Sequence, residues 1–243
     1  MKIALCLYGL QGNLEDKSGS GLKESSISKI SHNYWYKYFL SRYDVDVYIH
    51  SWEPELEKEL IKLYNPVKYK FEKPRTFEIP EHIDGTYTRK QNHYSRWYSQ
   101  FQCNKLRRDS KIKYDYIMMS RFDMAWSEYI KFEKLKDGVL YYPGDYLHMN
   151  HSHKMQDLFH ISQDKIMNKF CNLYNKIGEY TLSSSKYCNN QRVGISSHRI
   201  SKFHVRQEGI KHKTLLYRRQ NKERQSDYTI IRLLHELKDS TDG

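Results

Sequence analysis

The segment spanning residues 114–124 most constrains the fold, because its apolar run ends abruptly in an arginine and a carboxylate, Arg121 and Asp123. A continuous apolar run of this length is typical of a strand buried on both faces of a sheet. In open α/β sheets, ligands bind just outside the carboxyl ends of such strands. Because side chains alternate along a strand, residues two apart point the same way, so both charged groups are expected to face one ligand.

Strand-like and helical segments alternate along the chain, which predicts an α/β fold with a mostly parallel sheet and helices on its faces. The predicted strands are residues 1–9, 44–52, 67–71, 114–124, 139–142 and 155–162, with Pro143 ending the fifth. Helices are predicted from Ser25 onward and at residues 53–64, 90–108, 163–174 and 227–237. Residues 11–24, with three glycines, are predicted to form a loop or lid.

The charge balance favours an anionic partner, since 41 Lys and Arg face 29 Asp and Glu for a net charge of +12. That partner is a nucleic acid, a membrane surface or a phosphorylated small molecule, and charge alone does not choose among them. No apolar run reaches the roughly 18 to 20 residues that span a bilayer, and residues 1–9 do not resemble a secretion signal. A cytoplasmic protein is therefore predicted. Four widely spaced cysteines without a CxxC pair are expected to be free thiols.

Four sequence pieces occur in an order that resembles a group of small bacterial and viral glycosyltransferases with the GT-A fold. The pieces are KIALCLYG, VDVYIHSW, a helix reading S-x-x-Y-S-x-x-x-C-N-x-L, and YDYIMMSRFDM. The resemblance covers roughly residues 1–175 and implies one GT-A-like, Rossmann-like domain over residues 1–243. Residues 1–125 would be its nucleotide-binding half, residues 126–225 an acceptor-side half with a basic segment, and residues 226–243 a C-terminal helix and tail.

The resemblance implies transfer of a sugar from a nucleotide sugar to a glycan or lipid-linked acceptor, in surface polysaccharide or glycoprotein glycan synthesis. In such enzymes a strand ending in Asp-x-Asp presents carboxylates to a divalent metal that bridges the donor diphosphate. Here Arg121 occupies the first carboxylate position and only Asp123 remains. Asp123 is a candidate ligand for Mn²⁺ or Mg²⁺, since substrate phosphates can supply further oxygens. Alternatively, Arg121 binds phosphate directly, or the two side chains simply pair with each other.

Further donor-binding candidates lie at strand ends or along the long helix: Tyr8, Gly9, His50, Ser95, Tyr98 and Ser99. Tyr8 is a candidate for stacking on the base, and Gly9 allows close backbone approach because it lacks a side chain. His50 follows the second strand, and the three helix residues are spaced to touch the sugar or pyrophosphate. Packing within the core is the alternative for each of them.

Asp157 is the candidate catalytic base that deprotonates the acceptor hydroxyl, because its apolar surroundings are expected to raise its pKa toward useful base strength. His151, His153 and His160 are rival candidates. The basic residues between Arg199 and Arg224 either neutralise the departing nucleotide or form a solvated face, and they also suit an anionic membrane surface. No nucleic-acid-binding module is recognisable, so no nucleic-acid partner is expected, although a basic nucleic-acid-binding protein without catalytic activity is the alternative.

Overall fold

Strands and helices alternate through the computed structural model, which describes residues 1–11, 24–145, 154–183, 196–218 and 226–231. The strands in these ranges are β1 (Lys2–Gly9), β2 (Asp44–Ser51), β3 (Lys68–Phe71), β4 (Tyr116–Arg121), β5 (Met124–Trp126), β6 (Leu140–Asp145), β7 (Phe159–Ser162), β8 (His212–Arg218) and β9 (Tyr228–Ile230). The helices are α1 (Glu24–Trp35), α2 (Glu57–Tyr64), α3 (Tyr87–Arg108), α4 (Asp164–Cys171), α5 (Ile177–Ser183) and α6 (Ser197–Gln207).

A seven-stranded sheet in the order β3-β2-β1-β4-β7-β6-β8 forms the centre of the fold. Strands β3, β2, β1 and β4 run parallel, whereas β7 runs antiparallel to both of its neighbours, β4 and β6. Strand β8 is parallel to β6. The predicted α/β class with a mostly parallel sheet is therefore confirmed, and β7 is the one reversed strand of the seven. A separate two-stranded sheet pairs β5 with β9.

The two faces of the sheet support separate hydrophobic cores. Side chains of Ala4, Cys6 and Tyr8 join the core that contains Trp97 of α3, whereas Ile3, Leu5 and Leu7 join the core that contains Trp35 and Trp126. This division follows from the two-residue repeat of a strand. Helix α3 begins at the capping residue Thr86, whose hydroxyl accepts a hydrogen bond from the backbone N–H of Arg89 at 3.4 Å.

Three sequence predictions are wrong in the second half of the chain. Residues 228–230 begin the predicted C-terminal helix but form strand β9, because they pair with β5. Strand β7 begins only at Phe159, so Asp157 precedes the strand. Strand β6 continues through Pro143, where its register with β8 is irregular between Tyr142 and Gly144, and this bulge accommodates the proline.

Helix α6 and strand β8 form within the basic region, where the sequence showed little periodicity. Cys6, Cys103 and Cys171 are buried and free, as predicted, while Cys188 and most of the predicted lid lie outside the described residues. None of the described helices is both long and apolar enough to cross a bilayer.

Candidate functional site

Arg121 and Asp123 bind each other at the carboxyl end of β4. The guanidinium donates from Nε to Oδ1 at 2.7 Å and from Nη2 to Oδ2 at 2.6 Å. The Arg121 side chain is 30% exposed and the Asp123 side chain only 9%. Burial alone would lower the pKa of Arg121, but the carboxylate of Asp123 raises it, so the guanidinium is charged. Asp123 lies in a bend after the end of β4, and its carboxylate folds back to the guanidinium of Arg121. The cation is the more accessible partner.

A second ion pair, between Arg96 of α3 and Asp157, lies at the same edge of the sheet. Arg96 donates from Nη1 to Oδ2 of Asp157 and from Nη2 to the backbone carbonyl of the same residue. The next residue, Leu158, accepts a hydrogen bond from the backbone N–H of Arg121 at 3.2 Å. The segment that carries Asp157 is thus fixed both to α3 and to the end of β4.

The pKa of Asp157 is lowered, so the predicted increase was wrong. Burial does act to raise this pKa, but the charges of Arg96, His198, Arg121 and His160 act against it, with Arg96 contributing most. A carboxylate that stays ionised beside a guanidinium is a weak proton acceptor. The ion pair therefore disfavours Asp157 itself as the base.

Tyr8 lies between the two ion pairs. In the ladders of the sheet, it is the register partner of His50 on β2 and of Arg121 on β4. Its hydroxyl is buried and has no hydrogen-bond partner among the described residues. Burial raises the pKa of this hydroxyl, while Arg96 acts to lower it. The residue is only 2% exposed, so its ring offers little surface for stacking on a base.

Gly9 follows Tyr8 with a φ of +99°, a backbone conformation that side chains disfavour. We call Tyr8, Arg96, Arg121, Asp123 and Asp157 the strand-end cluster. It contains two guanidinium groups, each held by one carboxylate, around a buried phenol. Such an arrangement can present fixed cations to an anionic ligand.

His50 and Ser99 form a buried structural pair. The ring of His50 bonds through Nδ1 to Ser99 Oγ at 2.6 Å and through Nε2 to Glu72 Oε1 at 2.8 Å. Burial lowers the pKa of His50 to about 4, so the ring is neutral at pH 7. Both ring nitrogens are therefore already occupied, and nucleotide binding by this pair stays a prediction.

Tyr98 and Ser95 differ from each other in their surroundings. The ring of Tyr98 stacks on Trp52 with 5.5 Å between ring centroids, and its hydroxyl accepts a hydrogen bond from Arg75 at 3.3 Å. Tyr98 thus belongs to the aromatic core between α3 and the sheet. Ser95 is half-buried, on the turn of α3 that also carries Arg96. Of these two predicted donor contacts, Ser95 is the one beside a cluster residue.

A divalent metal fits poorly at Asp123. Both carboxylate oxygens already accept hydrogen bonds from Arg121, whose positive charge would repel a cation. In the described ranges, no group of three or more His, Cys, Asp or Glu residues is arranged to hold a metal. The residues present at the strand end are suited to bind phosphate oxygens directly.

Of the histidines considered as rival bases, only His160 is described. It is fully buried, and neither ring nitrogen has a hydrogen-bond partner within the part of the chain that the structure describes. Burial lowers its pKa to about 3. A proton acceptor needs contact with the acceptor hydroxyl, and His160 has no exposed surface for that contact. His151 and His153 lie outside the described residues.

An open cavity of about 260 Å³ lies between α3 and α4, toward the other end of α3 from Arg96. Its lining includes the side chains of Lys105, Arg108 and Asn168. The amide of Asn168 is engaged by Asn104 at 3.1 Å and by the buried guanidinium of Arg107 at 2.7 Å. These hydrogen bonds hold α3 and α4 together and give the polar side chains of the cavity wall a structural role. The strand-end cluster therefore remains the candidate site.

Comparison with known proteins gives no match to a family model and no significant match to a curated protein. The chemistry of the site is therefore inferred from its own residues. Sequence reasoning missed Arg96, because it lies within a helix whose aromatic stripe dominated the pattern. The signal available in the sequence was its spacing, three residues after His93 and four before Gln100, which places the three on one face of the helix. The structure buries both of those neighbours.

Proposed function

We propose that this chain is a GT-A-like glycosyltransferase that moves a sugar from a nucleotide-sugar donor to a glycan or lipid-linked acceptor. The resemblance of residues 1–175 motivates the assignment, and the parallel β3-β2-β1-β4 half of the sheet is compatible with a Rossmann-like nucleotide-binding unit. In such sheets the carboxyl ends of the strands are the usual place for a ligand. The strand-end cluster occupies that edge.

The observation that carries the proposal is the pair of guanidinium groups fixed at one sheet edge. Arg121 is held by Asp123, Arg96 is held by Asp157, and both cations influence the buried phenol of Tyr8. Guanidinium groups make two-point hydrogen bonds to phosphate oxygens and stay charged at neutral pH. A diphosphate is the group that would use two such cations together.

In this proposal Arg121 supplies the positive charge that a metal would supply in an Asp-x-Asp site. During glycosyl transfer, negative charge develops on the departing nucleoside diphosphate. A fixed cation in a partly buried site stabilises that charge without having to reorganise. The proposed role of Arg121 is therefore to bind the donor diphosphate and to stabilise it as the leaving group.

The test is a thermal-shift screen with UDP, GDP, dTDP, CMP and their sugars, each with and without Mn²⁺. A ligand that binds the native state must raise the melting temperature. We expect one nucleoside diphosphate to stabilise the protein without Mn²⁺, and Arg121→Ala and Arg96→Ala to remove most of the shift. Arg108→Ala is the matched control, since Arg108 lies on the same helix as Arg96 but lines the cavity between α3 and α4.

Three outcomes would contradict the proposal. A shift lost in Arg108→Ala but kept in Arg121→Ala would place the ligand in the cavity between α3 and α4. A shift that requires Mn²⁺ and survives Arg121→Ala would restore the metal hypothesis. Stabilisation only by a short RNA or DNA, lost at high salt, would favour the nucleic-acid-binding alternative.

A further inference from the structure

His198 in the first turn of α6 is held in a fixed orientation by the segment that precedes β7. The backbone N–H of Met155 donates to the carbonyl of His198 at 2.9 Å. In the other direction, the ring Nδ1 of His198 lies 3.1 Å from the carbonyl oxygen of Met155. These two bonds attach the start of α6 to the residues just before Asp157.

The Met155 contact determines the tautomer of the neutral His198 ring. A carbonyl oxygen can only accept, so Nδ1 carries the proton and the lone pair is on Nε2. Among the contacts of the described residues, Nε2 has no hydrogen-bond partner, and the side chain is 35% exposed. Both ring nitrogens of His50 and of His204 are bonded, which makes those rings structural.

Asp157 provides negative charge on the Nδ1 side of this ring. Its Oδ1 lies 3.7 Å from Nδ1 of His198, while its Oδ2 is held by Arg96. A carboxylate kept ionised by a guanidinium can stabilise the positive charge that the ring acquires when it takes a proton. The ring of His160 also interacts electrostatically with His198, and burial keeps His160 neutral.

We propose that His198 is the catalytic base of the transfer reaction and that Asp157 is a positioning residue that orients and stabilises its ring. This inference rests on the proposed function. The acceptor O–H proton moves to Nε2 of His198, and the oxygen's electron pair forms the new bond to the anomeric carbon. The bond from that carbon to the diphosphate oxygen breaks, and its electron pair leaves with the nucleoside diphosphate beside Arg121.

The test compares His198→Ala with His82→Ala, a control histidine in an exposed loop contact with Thr181. We expect His198→Ala to lower kcat for transfer by about 10²- to 10⁴-fold, the usual contribution of a general base. Its thermal shift with the nucleoside diphosphate should equal that of wild type. The ionisation that limits kcat at low pH should disappear from its profile, and added imidazole should restore part of the rate.

Asp157→Asn tests the positioning role separately. Removal of the negative charge should move the low-pH limb of the kcat profile to lower pH, which a merely structural residue would not do. If His198→Ala transfers sugar at the wild-type rate with an unchanged pH profile, this inference is overturned and the proposed function is left intact. Absence of both nucleoside diphosphate binding and transfer in wild type would instead overturn the proposed function, and with it this inference.

Discussion

The guanidinium of Arg121 and the carboxylate of Asp123 form a two-point ion pair across the end of β4, with N–O distances of 2.7 and 2.6 Å. The cation is the more exposed partner. An incoming phosphate therefore meets the guanidinium, while the carboxylate keeps that guanidinium in a single orientation. The two residues have different expected roles, which mutations can separate.

Asp123→Ala should abolish transfer and weaken nucleoside diphosphate binding less than Arg121→Ala does. The Asp123 variant keeps the guanidinium of Arg121 but no longer holds it in one orientation. The Arg121 variant removes the charge-assisted hydrogen bonds to the diphosphate, which are worth about 1.5–3 kcal/mol, or roughly 10- to 150-fold in Kd. Calorimetric titration and a transfer assay measure both effects. Asp115→Ala, at the other end of the same strand region, is the control. Full turnover in Asp123→Ala would remove this residue from the site.

The Arg96–Asp157 pair should show strong energetic coupling. Removing one partner of a largely buried ion pair leaves an uncompensated charge and costs about 3–5 kcal/mol of the free energy of unfolding. Arg96→Met and Asp157→Asn should each destabilise the protein, and the double variant should cost clearly less than the sum of the two. Urea denaturation of all four proteins gives the coupling energy. If the losses in free energy of unfolding of the two single variants simply add in the double variant, the ion pair itself contributes nothing to stability.

Ser99→Ala should reduce stability without changing donor affinity. The change leaves Nδ1 of buried His50 without its 2.6 Å partner, at a cost of about 1–3 kcal/mol. Ser95→Ala, one turn earlier on α3 and half-buried, should change the free energy of unfolding by less than about 0.5 kcal/mol. Denaturant unfolding and nucleotide titration distinguish the two roles. A large loss of nucleotide affinity in Ser99→Ala would support the donor contact predicted from the sequence.

Buried histidines should make the protein acid-sensitive. Burial lowers the pKa of His160 to about 3, whereas a histidine in the unfolded chain has a pKa of about 6.5. The unfolded state therefore binds more protons below that pH. The stability that comes from keeping His160 neutral is fully present above pH ~6.5. It is lost as the pH falls toward 3, at up to about 1.4 kcal/mol of the free energy of unfolding per pH unit.

His160→Leu should flatten this pH dependence, and exposed His82→Leu should not. Denaturant unfolding between pH 4 and 7 measures the slope of the free energy of unfolding for each variant. His50 and His93, whose pKa values burial lowers to about 4 and about 3, keep a residual slope in the His160 variant. An equal slope in wild type and His160→Leu would mean that His160 does not contribute.

The alternation rule led to the prediction that Arg121 and Asp123 act as one feature, because the whole run of residues 114–124 was taken as one extended strand. The strand ends at Arg121, and a bend at residues 122 and 123 brings the two side chains together. Their mutual ion pair was one of three alternatives, and nothing in the sequence decides among them. The apolar run itself was sufficient to predict β4 and its place within the sheet.

The Asp157 region could not be predicted in the same way, because β7 runs opposite to its neighbours. An antiparallel strand brings its beginning, not its end, to the carboxyl edge of the parallel strands. Asp157 therefore reaches the cluster from the segment before Phe159. Its pKa depends on Arg96, which is 61 residues away in sequence and on a different element. Strand direction and long-range charge pairing both require the tertiary structure.

The pairing of β1 with β4 has a consequence for how the protein is made. Every register pair in this ladder, from Ile3↔Tyr116 to Tyr8↔Arg121, joins residues 113 positions apart. Such non-local pairing carries a loop-closure cost before any contact is gained, and it slows folding. Tyr8 is synthesised 113 residues before Arg121, and its charged neighbours are complete only once synthesis has passed Asp157.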